Sequence, residues 1–233
     1  GSSMADRQCA GSARTVTTRR GRDAILRAAS LSSMPMSDPL SHPVIAVLLS
    51  RRSLGVRHLV EPGPDEAELT AMAAVALRAP DHAELVPFRF RVVRGAARER
   101  LAALFERAGR DAGKDEAVAR VDGDRARRAP VTVAVVARID LGHPLVPAHE
   151  QWIALGAALA HFLDAAHALG YAGKMLSGAK VRHPALQAAF CGPGETLVGW
   201  VALGSADAAH KSAAAAGARR AKAQPADILL PWP

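Results

Sequence analysis

The sequence predicts an α+β fold with helices packed on a mixed sheet, and three observations carry that prediction. Helical and strand periods follow one another without the strict strand–helix alternation of a doubly wound fold. One run, "VTVAVVA" (Val131–Ala137), is continuously apolar, as a strand covered on both faces must be. The segment "AHEQWIALGAALAHFLDAAHA" (Ala148–Ala168) is apolar nearly all round at helical spacing, so it belongs in the centre of the fold. A chain of 233 residues that is 49% apolar suits one ordinary domain with appendages and an ample core.

Ser41 and Pro43 open a short helix through "VIAVLLS". The turn "EPGP" (Glu61–Pro64) leads into a helix over Asp65–Ala79, where Leu69, Met72, Ala73, Ala76 and Leu77 recur at helical spacing. Its acids cluster in the first turn, where the helix dipole favours them, and Pro80 ends it. "FRFRVV" (Phe88–Val93) alternates with Arg89 and Arg91 on one face, the pattern of a half-buried strand. Charged helices are expected over Ala96–Ala112 and about Asp115–Arg128, on either side of a glycine turn. After the central helix, closed by Gly170, come a strand "YAGKML", a short helix over Pro184–Phe190 and a strand over Thr196–Gly204.

The ends differ from this body in composition. Residues 1–43 are rich in Ser, Arg and Thr; "GSSM" reads as an appendage, Met34 or Met36 as a candidate start, and the segment as disordered or over-long. Residues 44–206 form the folded domain and 207–233 an Ala/Lys/Arg-rich tail ending in "PADILLPWP". The formal charge of +8 is concentrated in those ends: they hold +5 of it, and the body interleaves its acids and bases. Nucleic acid is therefore not an expected partner. No apolar run reaches the roughly 18–20 residues of a membrane span. Two cysteines, Cys9 and Cys191, indicate no disulfide framework and favour the reducing cytoplasm.

Several chemistries lack their usual supports. There is no GxGxxG, no Walker motif and no GxSxG elbow, and "HEQW" at His149 lacks the second histidine of a zinc helix. His161 and His167 fall on different faces of their helix, so no metal is expected. What stands out is "RRS" (Arg51, Arg52, Ser53) after the first helix: two guanidiniums and a hydroxyl at a helix end can grip a phosphate, while the tripeptide alone also reads as a solvated helix terminus. Downstream, "ALRAPDH" packs Arg78, Asp81 and His82 around Pro80.

The ordered set of "RRS", "EPGP", "ALRAPDH", Pro87–Phe88 before a strand, "RERL", "EQW", "GAALAHFLDAAHALGY" and "VGWVALG" resembles the nitroreductase family, in its compact YdjA-like branch, over about Val44–Ser205. The resemblance implies a nitroreductase-like antiparallel or mixed sheet flanked by helices, a homodimer, and FMN as cofactor with NAD(P)H as co-substrate. It places the FMN on Arg51, Arg52, Ser53, Arg78, His82 and the segment Met175, Leu176, Ser177, and the nicotinamide nucleotide near Ala165, Ala166, His167, Ala168, Leu169 and Gly170. Arg78 and His82 are expected to face one pocket with the triplet, with Asp81 orienting one of them. Lys211 in the tail would add charge near the phosphate.

The resemblance also implies the reaction: hydride passes from NAD(P)H through FMN N5 to a nitroaromatic, quinone or similar small acceptor, and no side chain acts as catalytic acid or base. This chain departs from the family where "MLSG" (Met175–Gly178) stands in place of a "WRSG"-like stretch, so Leu176 replaces an arginine. That departure motivates one rival reading, an FMN-binding carrier or regulator without turnover; a basic nucleic-acid-interacting module acting through the ends is the other.

Overall fold

The computed structural model describes residues 38–213 and 223–232. The expectation for residues 1–43 lies almost wholly outside the described residues, as does part of the tail. Residues 38–42 hold one 3-10 turn, Pro39–Ser41, with the Asp38 carboxylate accepting from Leu40 N. That segment is a unit separate from the body that begins at Pro43.

The body contains α1 (Pro43–Ser50), β1 (Leu59–Val60), α2 (Glu66–Ala76), β2 (Phe88–Arg94), α3 (Ala97–Asp111), α4 (Glu116–Arg128), β3 (Val131–Ala137), α5 (Ala148–Ala168), β4 (Ala172–Leu176), α6 (Pro184–Phe190), β5 (Thr196–Ala206) and α7 (Ala208–Ala213). The sheet runs β1-β5-β3-β2, with β4 also paired to β5. Every strand pair is antiparallel; an isolated parallel bridge joins Ser53 to Gly173. The α+β expectation therefore holds, in its antiparallel form.

Alternation along the strands sorts the core into two layers. Val131, Val133, Val135 and Ala137 of β3, with Val201 and Leu203 of β5, face α2 and α5. Ala134 and Val136, with Leu197 and Trp200, face α3, α4 and α6. Because β3 is buried along its whole length, its sequence has no polar alternation. On α5, Gln151, Ala154, Leu155, Ala158, Phe162, Ala165 and Ala166 point inward, while Trp152 and Ile153 are 44% and 63% exposed. Helix α1 is exposed along its entire length, Leu49 reaching 58%.

Local chemistry sets the boundaries. Asp65 caps α2 through Glu68 N while the Glu68 carboxylate accepts from Asp65 N, a reciprocal capping box. The helix stops at Ala76, three residues short of the expected Ala79, because residues 78 and 79 tighten into i−3 bonds ahead of Pro80. The two-residue β1 has no period to announce it and exists by pairing with Ser205 and Ala206, which carries β5 past Gly204.

Gln151 is a buried polar exception, 1% exposed. Its Oε1 accepts from Asp140 N at 2.8 Å and its Nε2 donates to the carbonyls of Asp140 and Val146 at 2.8 and 3.0 Å, so it clamps the loop between β3 and α5. Gln151→Leu strips all three bonds and is expected to cost about 1–3 kcal/mol, read as a lowered urea midpoint at unchanged slope.

Candidate functional site

The triplet leaves α1 and runs along the edge of β4. Ser53 bridges Gly173, and Leu54 N donates to Gly173 O at 3.2 Å. Arg51 Nε pairs with Asp164 Oδ1 on α5 at 3.0 Å, and Arg52 Nη2 donates to the His210 carbonyl at 2.8 Å, one residue before Lys211. The triplet therefore touches three of the expected segments at once: the end of α5, β4 and the start of the tail.

The end of α5 sits beside the triplet through Ser50 Oγ and His167 Nε2, which are 2.8 Å apart. Burial, and then the positive charge of Arg51, hold the His167 pKa below its ordinary value. Gly170, at φ +89°, ends the helix in the left-handed region, and Tyr171 N bonds back to Ala166 O. On β4, Met175 packs toward α5, whereas Lys174 and Leu176 point to the opposite face, as strand alternation requires. Ser177 Oγ donates to Val198 O at 3.0 Å.

Arg78 and His82 do not join this group. His82 Nδ1 lies 2.9 Å from Glu150 Oε2, in the first turn of α5, while Arg51 holds Asp164 near its last turn. Fourteen residues at 1.5 Å each put the two attachments about 21 Å apart along the helix. Within one chain, then, the two segments do not face one pocket as expected. The Arg78 guanidinium is exposed and without an ion pair among the described residues. Asp81 orients neither neighbour; its Oδ2 accepts from Val86 N at 2.7 Å and closes a loop in which Ala83, Glu84 and Val86 all have positive φ.

Beside the triplet, between the sheet and α3 and α4, lies a cavity of about 730 Å³. Leu101, Phe105, Leu176 and Trp200 form apolar wall; the Phe105 and Trp200 rings meet edge-on with centroids 5.4 Å apart. Arg57, Arg125, Arg128, Lys174 and Lys180 also line it, as does Ser177, and no carboxylate does. Among the described residues Arg128 and Lys174 have no ion-pair partner at all. The lining thus suits a ligand with an apolar body and an anionic part. None of the five cations stood out in the sequence. The available signals were the i,i+3 pair Arg125 and Arg128 on α4 and the shared parity of Lys174 and Leu176 on β4.

Also on the lining, His58 Nδ1 lies 3.0 Å from Asp207 Oδ2 and His210 Nδ1 2.6 Å from Asp207 Oδ1, with the two ring centroids 3.8 Å apart and the planes tilted by 35°. Hydrogen bonding, first by His210, holds the Asp207 pKa down at about 2. Arg57 Nε donates to His58 Nε2 at 2.8 Å, so the group is internally satisfied and pins α7 to the turn at Val56–His58.

Residues 48–205 match the Nitroreductase family. The Escherichia coli K12 protein described as "Putative NAD(P)H nitroreductase YdjA" is 35% identical over 166 residues, covering 69% of this chain and 87% of that protein. Among solved structures, a nitroreductase-like family protein from Bacillus cereus superposes with a TM-score of 0.63 at 19% identity, over 82% of this chain and 94% of that one. The FMN-dependent nitroreductase NfnB from Mycobacterium smegmatis, in complex with NADPH, gives 0.60 at 17% identity, over 80% and 96%.

Proposed function

The chain belongs to the nitroreductase family, and from that premise we propose that it is an FMN-dependent NAD(P)H oxidoreductase whose flavin occupies the cation-lined cavity beside Arg51–Ser53. The observation that carries this reading is the cavity lining: apolar and aromatic wall, five cations and no acid. FMN fits that lining, because its ring needs apolar cover and its phosphate and pyrimidine edge need fixed positive charge.

When bound, FMN supplies a centre that accepts hydride from NAD(P)H and passes reducing equivalents to a small acceptor such as a nitroaromatic or a quinone. The chain contributes binding, orientation and field. Arg51, Arg52 and Ser53 would grip the phosphate, with Lys211 one residue beyond the carbonyl that Arg52 holds. Leu176 and Ser177 would line the ring, while Met175 supports the strand from its other face, against the α5 side of the core. Leu176 brings no charge, but Lys174 lies two residues back on the same strand face and Lys180 four residues on, so the wall stays cationic without an arginine at that position. Trp200 and Phe105 exclude water from the cavity floor. The end of α5, Ala165–Gly170, lies against the triplet through His167, which supports its assignment to the nicotinamide nucleotide.

A homodimer belongs to the same reading. Along α1, Ile45, Leu48 and Leu49 are exposed, as are Trp152 and Ile153 on α5, and a second copy would cover them. Across such an interface the Arg78 and His82 of one copy can approach the triplet of the other, which one chain alone cannot arrange. Among the described residues no helix is long and apolar enough to cross a membrane.

The test is the visible spectrum of purified protein loaded with FMN and freed of excess by gel filtration. Retained flavin bands that bleach anaerobically with NAD(P)H, followed by steady turnover with a quinone, are expected; retained flavin without turnover would favour the carrier instead. Arg51→Ala with Ser53→Ala should raise the FMN Kd about tenfold or more while the fold persists, because the half-exposed Arg51–Asp164 pair contributes at most about 1 kcal/mol to stability. A double variant that keeps its flavin through dialysis as the wild type does would refute the phosphate assignment.

A further inference from the structure

We propose that Asp122 is a positioning residue of the cavity: a buried carboxylate that holds Arg125 and Lys180 on the cavity wall and sets how much positive charge a bound flavin meets. The inference rests on the cavity being the FMN site.

Asp122 is 1% exposed, at the crossing of α3 and α4, where an added Cβ on Gly109 would stand 3.2 Å from its Oδ2. It makes three ion pairs: Lys114 Nζ at 2.6 Å and Lys180 Nζ at 2.9 Å on Oδ2, and Arg125 Nη1 at 3.2 Å on Oδ1. Arg125 and Lys180 line the cavity; Lys114 and Asp122 itself do not. The carboxylate therefore stands behind the wall and grips two of its cations from the rear.

Those two cations come from different elements. Arg125 is one turn further along α4, and Lys180 belongs to the 3-10 turn Ala179–Arg182 that directly follows Met175–Gly178. The Lys180 ammonium also lies 5.8 Å from the centre of the Phe105 ring. Asp122 thereby ties α4, the loop after β4 and the aromatic wall into one unit. A packed apolar side chain would serve the helix crossing without the desolvation penalty of a buried charge, so what Asp122 adds is the placement and partial neutralisation of its partners.

The sign of the effect follows from Coulomb's law. Reduction of FMN places negative charge on its pyrimidine end, so each positive charge in the wall favours the reduced form and each negative charge opposes it. Asp122→Asn keeps the shape and removes the negative charge. Lys114→Met removes a positive charge that faces Asp122 from outside the cavity and leaves the lining untouched.

The experiment titrates gel-filtered apoprotein with oxidised and with chemically reduced FMN and compares the two dissociation constants, with the midpoint potential of the bound flavin measured by dye equilibration. Asp122→Asn should shift the ratio of affinities toward reduced FMN by about tenfold, which is about 30 mV for a two-electron couple. Lys114→Met should shift it the other way. A role confined to fold stability would lower the melting temperature and leave the ratio where it was. Potentials that match the wild type, or that move in the same direction in both variants, overturn the assignment. Should Asp122→Asn fail to fold, an unshifted ratio in Lys114→Met overturns it alone. Wild-type protein that takes up no FMN overturns instead the reading of the cavity on which the assignment stands, and the assignment with it.

Discussion

Replacing Arg128 and Lys174 together by alanine is expected to weaken FMN binding by about 100-fold or more with little change in stability. Both side chains line the cavity, and neither has an ion-pair partner among the described residues, so nothing in the fold depends on their charge. A hydrogen bond to a charged group is worth about 1.5–3 kcal/mol, and about 1.4 kcal/mol is a factor of ten in Kd. Two such bonds lost give the 100-fold lower bound. Surface substitutions away from special features change stability by about 0.5 kcal/mol or less, so the melting curve should barely move. Flavin fluorescence quenching on titration of the apoprotein measures the effect. Wild-type affinity in the double variant would remove this cavity from consideration as the flavin site.

Trp200→Ala should have the largest effect on stability. The indole is 5% exposed in the middle of β5, with Phe105 edge-on at 5.4 Å and Phe190 edge-on at 5.0 Å. Truncating a buried aromatic costs about 3–5 kcal/mol through lost transfer energy and the cavity left behind. At about 2–4 °C per kcal/mol for a domain of this size, the melting temperature should fall by roughly 6–20 °C. The same residue closes the cavity floor, so flavin retention should fall as well. A fall of less than about 3 °C would mean that the aromatic cluster does not hold the outer layer of the sheet together as its geometry requires.

These two variants divide what the sequence displays from what it hides. The continuous apolar run Val131–Ala137, the helical period of Ala148–Ala168 and the acid-capped start at Asp65 are local signals, and each became the expected element. They are legible because burial on one or two faces imposes a period on the residues themselves. The triplet Arg51–Ser53 was legible as an unusual cluster of donors, and the resemblance of the ordered motifs implied that Met175–Ser177 shares its site; the structure joins Ser53 to Gly173, at the other end of β4, by a backbone bridge.

Arg57, Arg125, Arg128, Lys174 and Lys180 carried no comparable mark. Each sits on an ordinary charged or amphipathic stretch, and their convergence exists only because α4 packs over the face of the sheet to which Lys174 points. Asp122 reads as one more acid on a charged helix until the α3–α4 crossing buries it. Arg78 and His82 are the reverse case: motif order set them beside the triplet, whereas within one chain α5 holds the anchor of His82 and that of Arg51 about 21 Å apart. Sequence by itself determined the fold class and the family and singled out the Arg51–Ser53 triplet, because periodicity and local donor clusters are written along the chain. Tertiary structure alone decided which charges share a cavity and which are kept apart, because electrostatic fields depend on distances through space, and a linear order of residues does not contain them.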